Sequence, residues 1–340
     1  MNYKKFIPHQ ISKTTKMKST LHNKQYRQRG FGAGFIEEKI EEIRKIVNQE
    51  KAVSVLSGGV DSSTVTVLGH KALGNRLKTV FIDNGLMREN EPENIVKTFK
   101  KLKIKVEVIN AKDKFFRVLK GKTDPEEKRK AITEVFYGDV FENIVRKNKI
   151  NFLLQGTILT DIEETVAGIK RQHNVLSQMG IDPKKEYGYQ VIEPLIELRK
   201  DGVRKVAKLL GLPEIIYQRI PFPGPALAAR VIGGVTPKKI AIVRKATSII
   251  EKELKNSGAF QYFPVLMKDK ATGLRKGKRE FGNIIIVRCV ESVDARIATP
   301  TKLSWKILER ITKKLTTEIP GVDRVCYDIT PKPPATIEYI

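Results

Sequence analysis

Hydrophobic residues change their spacing along the chain, and these changes indicate secondary structure. Near the start, a period of about 3.6 residues predicts a helix from Phe35 to Val47, with Lys39 at the edge of its apolar face. Short apolar runs ending in turn residues are typical of buried parallel strands, and four of them cover residues 52–56, 79–82, 106–110 and 152–154. Helical patterns between and after them cover 62–71, 92–102, 125–149 and 202–210. This alternation predicts an α/β fold with a Rossmann-like parallel sheet and helices on both faces.

The second half of the chain has a different pattern. Residues 219–225 read Arg-Ile-Pro-Phe-Pro-Gly-Pro, and this density of proline predicts irregular backbone. Beyond it the pattern predicts two helices, over 238–256 and 304–315, and two strands, over 283–288 and 324–329. We therefore predict two domains: an α/β domain over 35–218 and a smaller α+β domain over 219–340.

Positive charge is in excess and unevenly distributed. The 340 residues include 64 Lys and Arg against 38 Asp and Glu, a formal net charge of +26, which favours a polyanionic partner such as nucleic acid, a nucleotide or an anionic membrane. Residues 1–34 contain Lys and Arg but no carboxylate, and we expect a disordered basic tail there. A transit peptide and a true start at Met17 are open alternatives. Because no apolar run approaches the roughly 20 residues of a membrane span, we expect no membrane partner.

The number and positions of the cysteines indicate the cellular compartment and limit the possible catalytic chemistry. Cys289 and Cys326 are the two cysteines of the chain, too few for a disulfide framework, so we expect a cytoplasmic protein. Both lie in strand-like sequence rather than at a sharp nucleophile turn, and we interpret both as buried structural thiols. The sequence therefore offers no candidate for the activated cysteine of a glutaminase, and no Cys/His spacing indicates zinc.

The clearest candidate chemistry lies where the first predicted strand joins the next helix. The residues there are Ser57, Gly58, Gly59, Val60, Asp61, Ser62 and Ser63. Glycines allow a sharp turn and close approach to a ligand, and a following helix presents free N–H groups and a partial positive charge to an anion. The serine hydroxyls add donors for phosphate oxygens, and Asp61 is a candidate for holding Mg²⁺ or orienting the loop. Although the Walker A spacing is absent, this combination favours phosphate binding over a plain turn.

This loop resembles the pyrophosphate-binding loop of the N-type ATP pyrophosphatases. Four further segments resemble motifs of the GMP synthetase family in the same order along the chain, namely 83–91, 155–157, 219–225 and 332–338. The resemblance spans Phe35 to Ile340, and it is to the ATP pyrophosphatase subunit of two-subunit GMP synthetases or to a close paralogue. It implies an adenine nucleotide alpha hydrolase-like fold followed by a C-terminal domain for dimerisation and XMP binding.

The resemblance also implies a reaction and its partners. ATP with Mg²⁺ would adenylylate XMP, pyrophosphate would leave, and ammonia would displace AMP to give GMP. Because the chain offers no glutaminase site, ammonia would come from solution or from a separate glutamine amidotransferase subunit. A homodimer is implied as well.

Positions that match the family motifs assign roles to individual residues. The residues that would contact XMP are Arg88, Gln261, Arg324, Lys332, Ile337 and Glu338. A lid after the fourth strand would close over both nucleotides, with Asp161 and Glu164 linked to activation. Within the lid, Lys170 would neutralise charge on the leaving pyrophosphate, and His173 matches the second of two adjacent histidines.

Two alternatives to this reaction stay open. The lid departs from the family pattern, in which a histidine and two glycines stand where this chain has Gln172, Leu176 and Ser177. A paralogous ATP pyrophosphatase with another substrate, such as a tRNA, is one alternative. We see no catalytic cysteine pair and no RNA-binding module for it, and we expect no nucleic-acid partner. The other alternative is a non-catalytic nucleotide-binding subunit, which the intact phosphate loop disfavours.

Overall fold

The N-terminal domain is built on a parallel sheet. A computed structural model describes residues 32–166, 188–275 and 277–339. Its first strands are β1 (Ala52–Leu56), β2 (Leu77–Asp83), β3 (Val106–Asn110), β4 (Phe152–Leu154) and β5 (Gln190–Ile192). Within the described residues these five strands form one sheet in the order β3-β2-β1-β4-β5, and every neighbouring pair is parallel. The predicted α/β fold with a parallel sheet is confirmed.

Helices precede, connect and follow these strands. They are α1 (Ala33–Val47), α2 (Val60–Leu73), α3 (Glu91–Lys101), α4 (Lys112–Leu119), α5 (Pro125–Glu134), α6 (Glu142–Asn148), α7 (Leu159–Val166), α8 (Lys200–Leu209) and α9 (Glu214–Tyr217). The chain moves outward from β1 to β3, then crosses back to β4 and on to β5. Because crossovers between parallel strands are right-handed, this reversal puts α2 and α3 on one face and the connection from β3 to β4 on the other.

Helix α2 is the central helix of this domain, and its residues 63–69 are all buried. The hydroxyls of Thr64 and Thr66 donate to backbone carbonyls one turn earlier, at 2.7 and 2.8 Å, so these polar side chains remain satisfied in the interior. A helix that is buried on all sides has no polar face to mark its period. The predicted helix over 62–71 is therefore present, but it is shorter than the observed Val60–Leu73 at both ends.

Three features of the N-terminal domain differ from the prediction. Lys39 is 5% exposed rather than at the edge of α1, and its Nζ lies 2.8 Å from Glu42 and 3.7 Å from Glu197, which neutralise it. The patterns missed α4, α7, α9 and the three-residue strand β5, because such short elements span too few turns or alternations to show a period. The segment 125–149, predicted as mostly helical, contains a π-helical stretch between α5 and α6.

The C-terminal domain is an α+β unit, as predicted. Its elements are α10 (Pro237–Leu254), β6 (Gln261–Arg275), β7 (Lys278–Glu291), β8 (Thr299–Pro300), α11 (Trp305–Glu318) and β9 (Val322–Asp328). Strand β7 pairs antiparallel with β6 and β8 and parallel with β9. Ile285 and Val287 of β7 share a core with Ile311 and Leu315 of α11, so the helices cover one face of the sheet. In the described parts of both domains, no helix is long and apolar enough to cross a membrane.

Strands β6 and β8 were not predicted, and the hairpin formed by β6 and β7 is much longer than the predicted strand over 283–288. Beyond Leu266, the residues of β6 at 268–270 are Lys, Asp and Lys, and all three are exposed. The backbone ladder nevertheless continues from Lys270 opposite Asn283 to Arg275 opposite Lys278. Apart from Gly282, the described residues of this outer half are not buried, so it shows no alternation of apolar and polar residues from which a strand can be predicted.

The expectation of two buried thiols is wrong for one of them. Cys289 is buried, whereas Cys326 is exposed. Successive side chains of a strand point to opposite faces. Val325 and Tyr327 pack against the core beneath the sheet, so Cys326 between them faces the other way.

The proline-rich segment between the domains is irregular, as its composition predicted. Residues 219–225 have no regular structure, and Ala226–Arg230 form a buried 3₁₀ turn. Lys128 of α5 is fully buried against the chain that follows, where its Nζ donates to the carbonyl of Val231 at 2.8 Å. Burial, reinforced by the charge of Lys239, lowers the pKa of Lys128 to about 8.

This buried lysine predicts a pH-dependent term in stability. Its pKa is about 8 in the folded chain against 10.5 for an ordinary lysine, so between these values the unfolded state binds more protons and stability rises with pH. Wild type should therefore gain stability relative to Lys128→Met as pH increases from about 7 to about 10. Urea unfolding of both proteins at several pH values measures the difference. A difference that does not change with pH would contradict the lowered pKa of Lys128.

Candidate active site

The carboxyl ends of neighbouring strands meet at one edge of the parallel sheet. Strands β1, β2, β4 and β5 end at Leu56, Asp83, Leu154 and Ile192. The chain leaves β1 toward β2 on one side, whereas β4, the other neighbour of β1, continues toward β5 on the opposite side. Such a switch point opens a crevice outside the strand ends, where ligands of doubly wound folds bind.

The predicted phosphate loop lies at this switch point. Gly58 adopts a left-handed φ of +80°. The hydroxyls of Ser57 and Ser62 are 2.9 Å apart, and Ser62 Oγ also accepts the Ser57 N–H at 3.1 Å. Ser57 Oγ in turn accepts the N–H of Gly59 at 3.3 Å. Helix α2 begins directly after Gly59, which has no side chain to cap it, so the first N–H groups of the helix are available to an anion.

Two side chains at the start of α2 have buried polar atoms that suit a ligand. Ser63 Oγ and Asp61 Oδ1 are buried and have no hydrogen-bond partner among the residues that the structure describes. The other oxygen of Asp61 accepts from Lys200 Nζ at 2.6 Å. Because an unsatisfied buried polar group costs about 1–3 kcal/mol, a phosphate oxygen at the hydroxyl or a cation at the carboxylate would be stabilising.

The short motif that follows β4 supports this loop from the side. A Cβ built on Gly156 would lie 2.9 Å from the carbonyl carbon of Asp61 and 3.0 Å from the nitrogen of Ser62, so the two backbones approach this closely because the residue is glycine. The adjacent Thr157 donates its hydroxyl to Glu193 Oε1 at 2.5 Å. The structure thus brings together two of the motifs that the sequence analysis singled out.

Glu193 belongs to this site although no sequence pattern indicated it. It follows β5, and its Oε1 accepts from both Thr157 and Gln155. Burial raises the pKa of Glu193, and the negative charge of Asp161 acts in the same direction. A strand of three residues shows no alternation. The one feature of the sequence that could have indicated Glu193 as a site residue is its position directly after a short apolar run.

The structure describes part of the predicted lid. Asp161 lies in the first turn of α7, where its Oδ2 accepts the N–H of Ile158 at 3.1 Å. Glu164 is in the same helix, but its side chain lies outside the described residues, as do Lys170 and His173. The departures from the family pattern also fall there, at Gln172, Leu176 and Ser177. The roles of these residues stay predictions.

An ion pair beside Gly58 is a second feature that the sequence patterns missed. Arg219 Nη1 donates to Glu91 Oε1 at 2.6 Å and also to the carbonyl oxygen of Gly58. Arg219 Nη2 donates to the other oxygen of Glu91. The side chain of Glu91 is 4% exposed. The first residue of the proline-rich segment thus contacts the phosphate loop directly.

The same proline-rich segment continues into a stack of aromatic and guanidinium groups. The ring centroid of Phe222 lies 4.0 Å from Cζ of Arg88 and 5.1 Å from Cζ of Arg230. Arg88 Nε donates to Glu251 at 2.6 Å. Burial, and then the charge of Arg219, lower the pKa of Arg88 to about 10. Arg88, a predicted XMP contact, is therefore a buried member of this stack.

The C-terminal tail brings three of the predicted XMP-binding residues together. Glu338 Oε1 accepts from Gln261 Nε2 at 2.6 Å and from Arg230 Nη2 at 3.1 Å, and the neighbouring Ile337 is buried. Arg230 is fully buried, and its Nη1 has no hydrogen-bond partner within the described part of the chain. The sequence did not indicate Arg230 as a site residue, because a single arginine in an apolar stretch matches no recognisable motif.

The other two predicted tail residues have different surroundings. Lys332 Nζ donates to the carbonyl of Ala295, in the loop between β7 and β8, at 2.8 Å, and Arg324 is exposed on β9. The tail itself is held by Arg288, which is fully buried and donates to the carbonyls of Thr330 and Thr336. The tail is therefore fixed at both ends.

Comparison with known proteins matches both domains. A family model described as NAD synthase matches residues 34–224, and one described as GMP synthase C terminal domain matches residues 248–339. Proteins named as one subunit of a glutamine-hydrolyzing GMP synthase are 50% identical over 308 residues in Pyrococcus horikoshii and 52% identical over 305 residues in Archaeoglobus fulgidus. Each alignment covers 90% of this chain and 98% of the relative. The chain belongs to this family of GMP synthase subunits.

Membership of the GMP synthase family confirms the resemblance inferred from the motifs. A third member, from Methanocaldococcus jannaschii, is 49% identical over 310 residues, which are 90% of this chain and 98% of the relative. The prediction of an ATP-using ligase is confirmed at the level of the family. The roles of individual residues are not tested by these comparisons.

Replacing Gly58 by alanine should disable the phosphate loop. A Cβ there would lie 2.2 Å from Glu91 Oε1 and 2.8 Å from Arg219 Nη1, in addition to the strain of a positive φ, about 1–3 kcal/mol. Gly121 is a matched control, because it has the same φ of +80° but nothing within 4 Å of a built Cβ. Only Gly58→Ala should raise the Kd for ATP, by more than about tenfold in calorimetry. Equal ATP affinity in both variants would contradict this geometry.

Proposed function

We propose that this chain catalyses the ATP-dependent amination of XMP to GMP through an adenylyl-XMP intermediate, with release of AMP and pyrophosphate. The observation that carries the proposal is the combination of two sites in one chain. An anion-binding loop at a sheet switch point suits the phosphates of ATP. A C-terminal cluster of carboxylate, amide and guanidinium groups suits the N–H and carbonyl groups of a purine.

The reaction consists of two displacements. The O2 oxygen of the xanthine ring attacks the α-phosphorus of ATP, an O–P bond forms, and the bond to pyrophosphate breaks. Ammonia then attacks C2, the C2–O bond breaks, AMP leaves with that oxygen, and the new amine releases a proton. Because both leaving groups are anions, donors and positive charge at fixed positions are what this chemistry needs.

The phosphate loop would hold the pyrophosphate as it leaves. The free N–H groups and partial positive charge at the start of α2 face an anion there, and the Ser63 hydroxyl has no protein partner among the described residues. The ammonium of Lys200, 2.6 Å from Asp61, adds a cation beside the loop. These groups stabilise negative charge that builds up on the leaving group.

Asp61 fits a divalent cation. Its Oδ1 is buried and without a partner in the described part of the chain, and carboxylate oxygens are ligands that Mg²⁺ prefers. Mg²⁺ would be held by Asp61 together with phosphate oxygens of ATP. When bound, such a cation neutralises charge on the phosphates.

The C-terminal cluster would recognise XMP. Glu338 can accept hydrogen bonds from purine N–H groups, Gln261 can donate or accept, and Arg230 Nη1 offers a buried donor. Arg324 and Lys332 are cations suited to the phosphate of XMP. Arg88 and Ile337 complete the proposed set. Support for this assignment comes from the hydrogen bonds that join Glu338 to Gln261 and Arg230.

The proposal also covers the source of ammonia and the oligomeric state. The relatives are named as one subunit of a glutamine-hydrolyzing enzyme, which supports a separate glutamine amidotransferase subunit as the ammonia source. We also propose a cytoplasmic homodimer formed through the C-terminal domain. Phe281 and Leu274, 74% and 76% exposed on the hairpin, support such a contact. A monomer in sedimentation velocity would count against it.

The decisive assay for the reaction supplies ATP, Mg²⁺ and ammonium at alkaline pH with a panel of purine nucleotides. We expect AMP, pyrophosphate and GMP in equal amounts when XMP is the acceptor, because each turnover releases one of each. AMP formed with a different nucleotide would instead identify a paralogous substrate. ATP binding without AMP release for any acceptor would contradict the ligase assignment.

The same assay tests the tail. Because Arg324 is exposed on β9, Arg324→Ala should leave folding intact while removing a cation for the phosphate of XMP. We expect the KM for XMP to rise at least about tenfold and the KM for ATP to stay within about twofold. Arg279→Ala is the matched control, since Arg279 is an exposed strand arginine of the neighbouring hairpin. Equal effects of the two substitutions on XMP would rule out a specific contact at Arg324.

A further inference from the structure

We propose that Arg219 and Glu91 act together as positioning residues that hold the phosphate loop in its ATP-binding conformation. This inference rests on the proposed function only in taking ATP as the ligand of the loop. Neither side chain belongs to the loop or to the XMP cluster. Their hydrogen bond to the loop is made to a backbone carbonyl, that of Gly58.

The geometry at Gly58 shows how tightly the pair is fitted to the loop. The glycine adopts a φ of +80°, and a Cβ built on it would meet Glu91 Oε1 at 2.2 Å and Arg219 Nη1 at 2.8 Å. The two side chains therefore occupy the space beside the turn. Because Arg219 donates to the Gly58 carbonyl, the orientation of that peptide unit is fixed. The N–H groups at the start of α2, beyond Gly59, then remain available to a ligand.

The charges of the pair are balanced by each other and by a helix. Glu91 is the first residue of α3, where the partial positive charge of a helix N-terminus stabilises a carboxylate. Its side chain is 4% exposed, so the carboxylate needs a charged and hydrogen-bonding partner. Arg219 supplies both nitrogens of its fork to Glu91 and shares Nη1 with the loop carbonyl. A lysine has no such fork.

The backbone of Arg219 is itself constrained. Arg219 begins the proline-rich segment, in which prolines at 221, 223 and 225 restrict φ. Phe222 in the same segment is held between the guanidinium groups of Arg88 and Arg230. A guanidinium anchored in this way can impose its position on the loop, whereas one on a mobile chain could not.

The consequence is a role in positioning rather than in chemistry. If the Gly58 peptide unit tilts, the N–H groups around it no longer converge on the phosphates. A misplacement of about 1 Å in such a site can cost on the order of 100-fold in rate. The loss should fall on ATP, because the pair touches the ATP loop and not the tail that carries Glu338.

Arg219→Ala tests the proposal. We expect kcat/KM for ATP to fall by about 100-fold while the KM for XMP stays within about twofold. Free guanidinium at millimolar concentration should restore part of the lost ATP activity by occupying the vacated position. Arg310→Ala is the matched control, because Arg310 also pairs with a largely buried carboxylate, Glu253, but between α10 and α11. It should retain wild-type kinetics and show no response to guanidinium.

A second variant and a second readout keep the test decisive. Arg219→Ala leaves Glu91 buried and unpaired, so the double variant Glu91→Gln/Arg219→Ala removes that charge and preserves folding. Calorimetry with an ATP analogue that carries a methylene bridge between the α- and β-phosphorus reports loop binding without any need for XMP turnover. Weakened analogue binding in the folded double variant, relieved by guanidinium, supports the proposal. Unchanged analogue binding, or an equal loss in Arg310→Ala, overturns it whether or not XMP is the substrate.

Discussion

The backbone turn at Gly58 is the constraint on which the ATP-binding half of the molecule depends. Strand β1 ends at Leu56 and helix α2 begins at Val60, so three residues must reverse the course of the chain. A left-handed φ at Gly58 makes this possible, and the Arg219–Glu91 pair fills the space where a side chain would be. The turn, the free start of α2 and the close approach of Gly156 follow from this one geometry.

Positive charge in this protein has two distinct uses. Among the described residues, many Lys and Arg are exposed, whereas Arg230 and Arg288 are fully buried and Arg88 nearly so. Each buried guanidinium has a carboxylate partner, Glu338, Asp328 or Glu251. Removing one member of such a pair strands a charge in the interior. The buried arginines therefore specify how the linker, the tail and the C-terminal sheet fit together.

Sequence patterns predicted the parts of the fold that depend on neighbouring residues. The bounds of β1, β3 and β4 match the predicted runs, and the phosphate loop follows from residues adjacent in the chain. The pair of Arg219 and Glu91 joins residues 128 positions apart, and such a contact leaves no local signature. The outer half of the β6–β7 hairpin was missed for a different reason: backbone pairing holds it without a buried face. Local periodicity reports burial, and it carries no information about distant ion pairs.

If the chain acts on XMP as proposed, substrate choice would rest on the tail rather than on the lid. The departures at Gln172, Leu176 and Ser177 alter a segment whose expected task is to close over nucleotides, not to distinguish one purine from another. The groups that can read a purine edge are those joined around Glu338, and they depend on one another, because Gln261 and the buried Arg230 both donate to the same carboxylate oxygen. A change of base specificity would have to alter that cluster while still satisfying a fully buried guanidinium. Under this proposal, a paralogue with another acceptor would be expected to differ in the cluster around Glu338, and the described part of this chain keeps that cluster's hydrogen bonds.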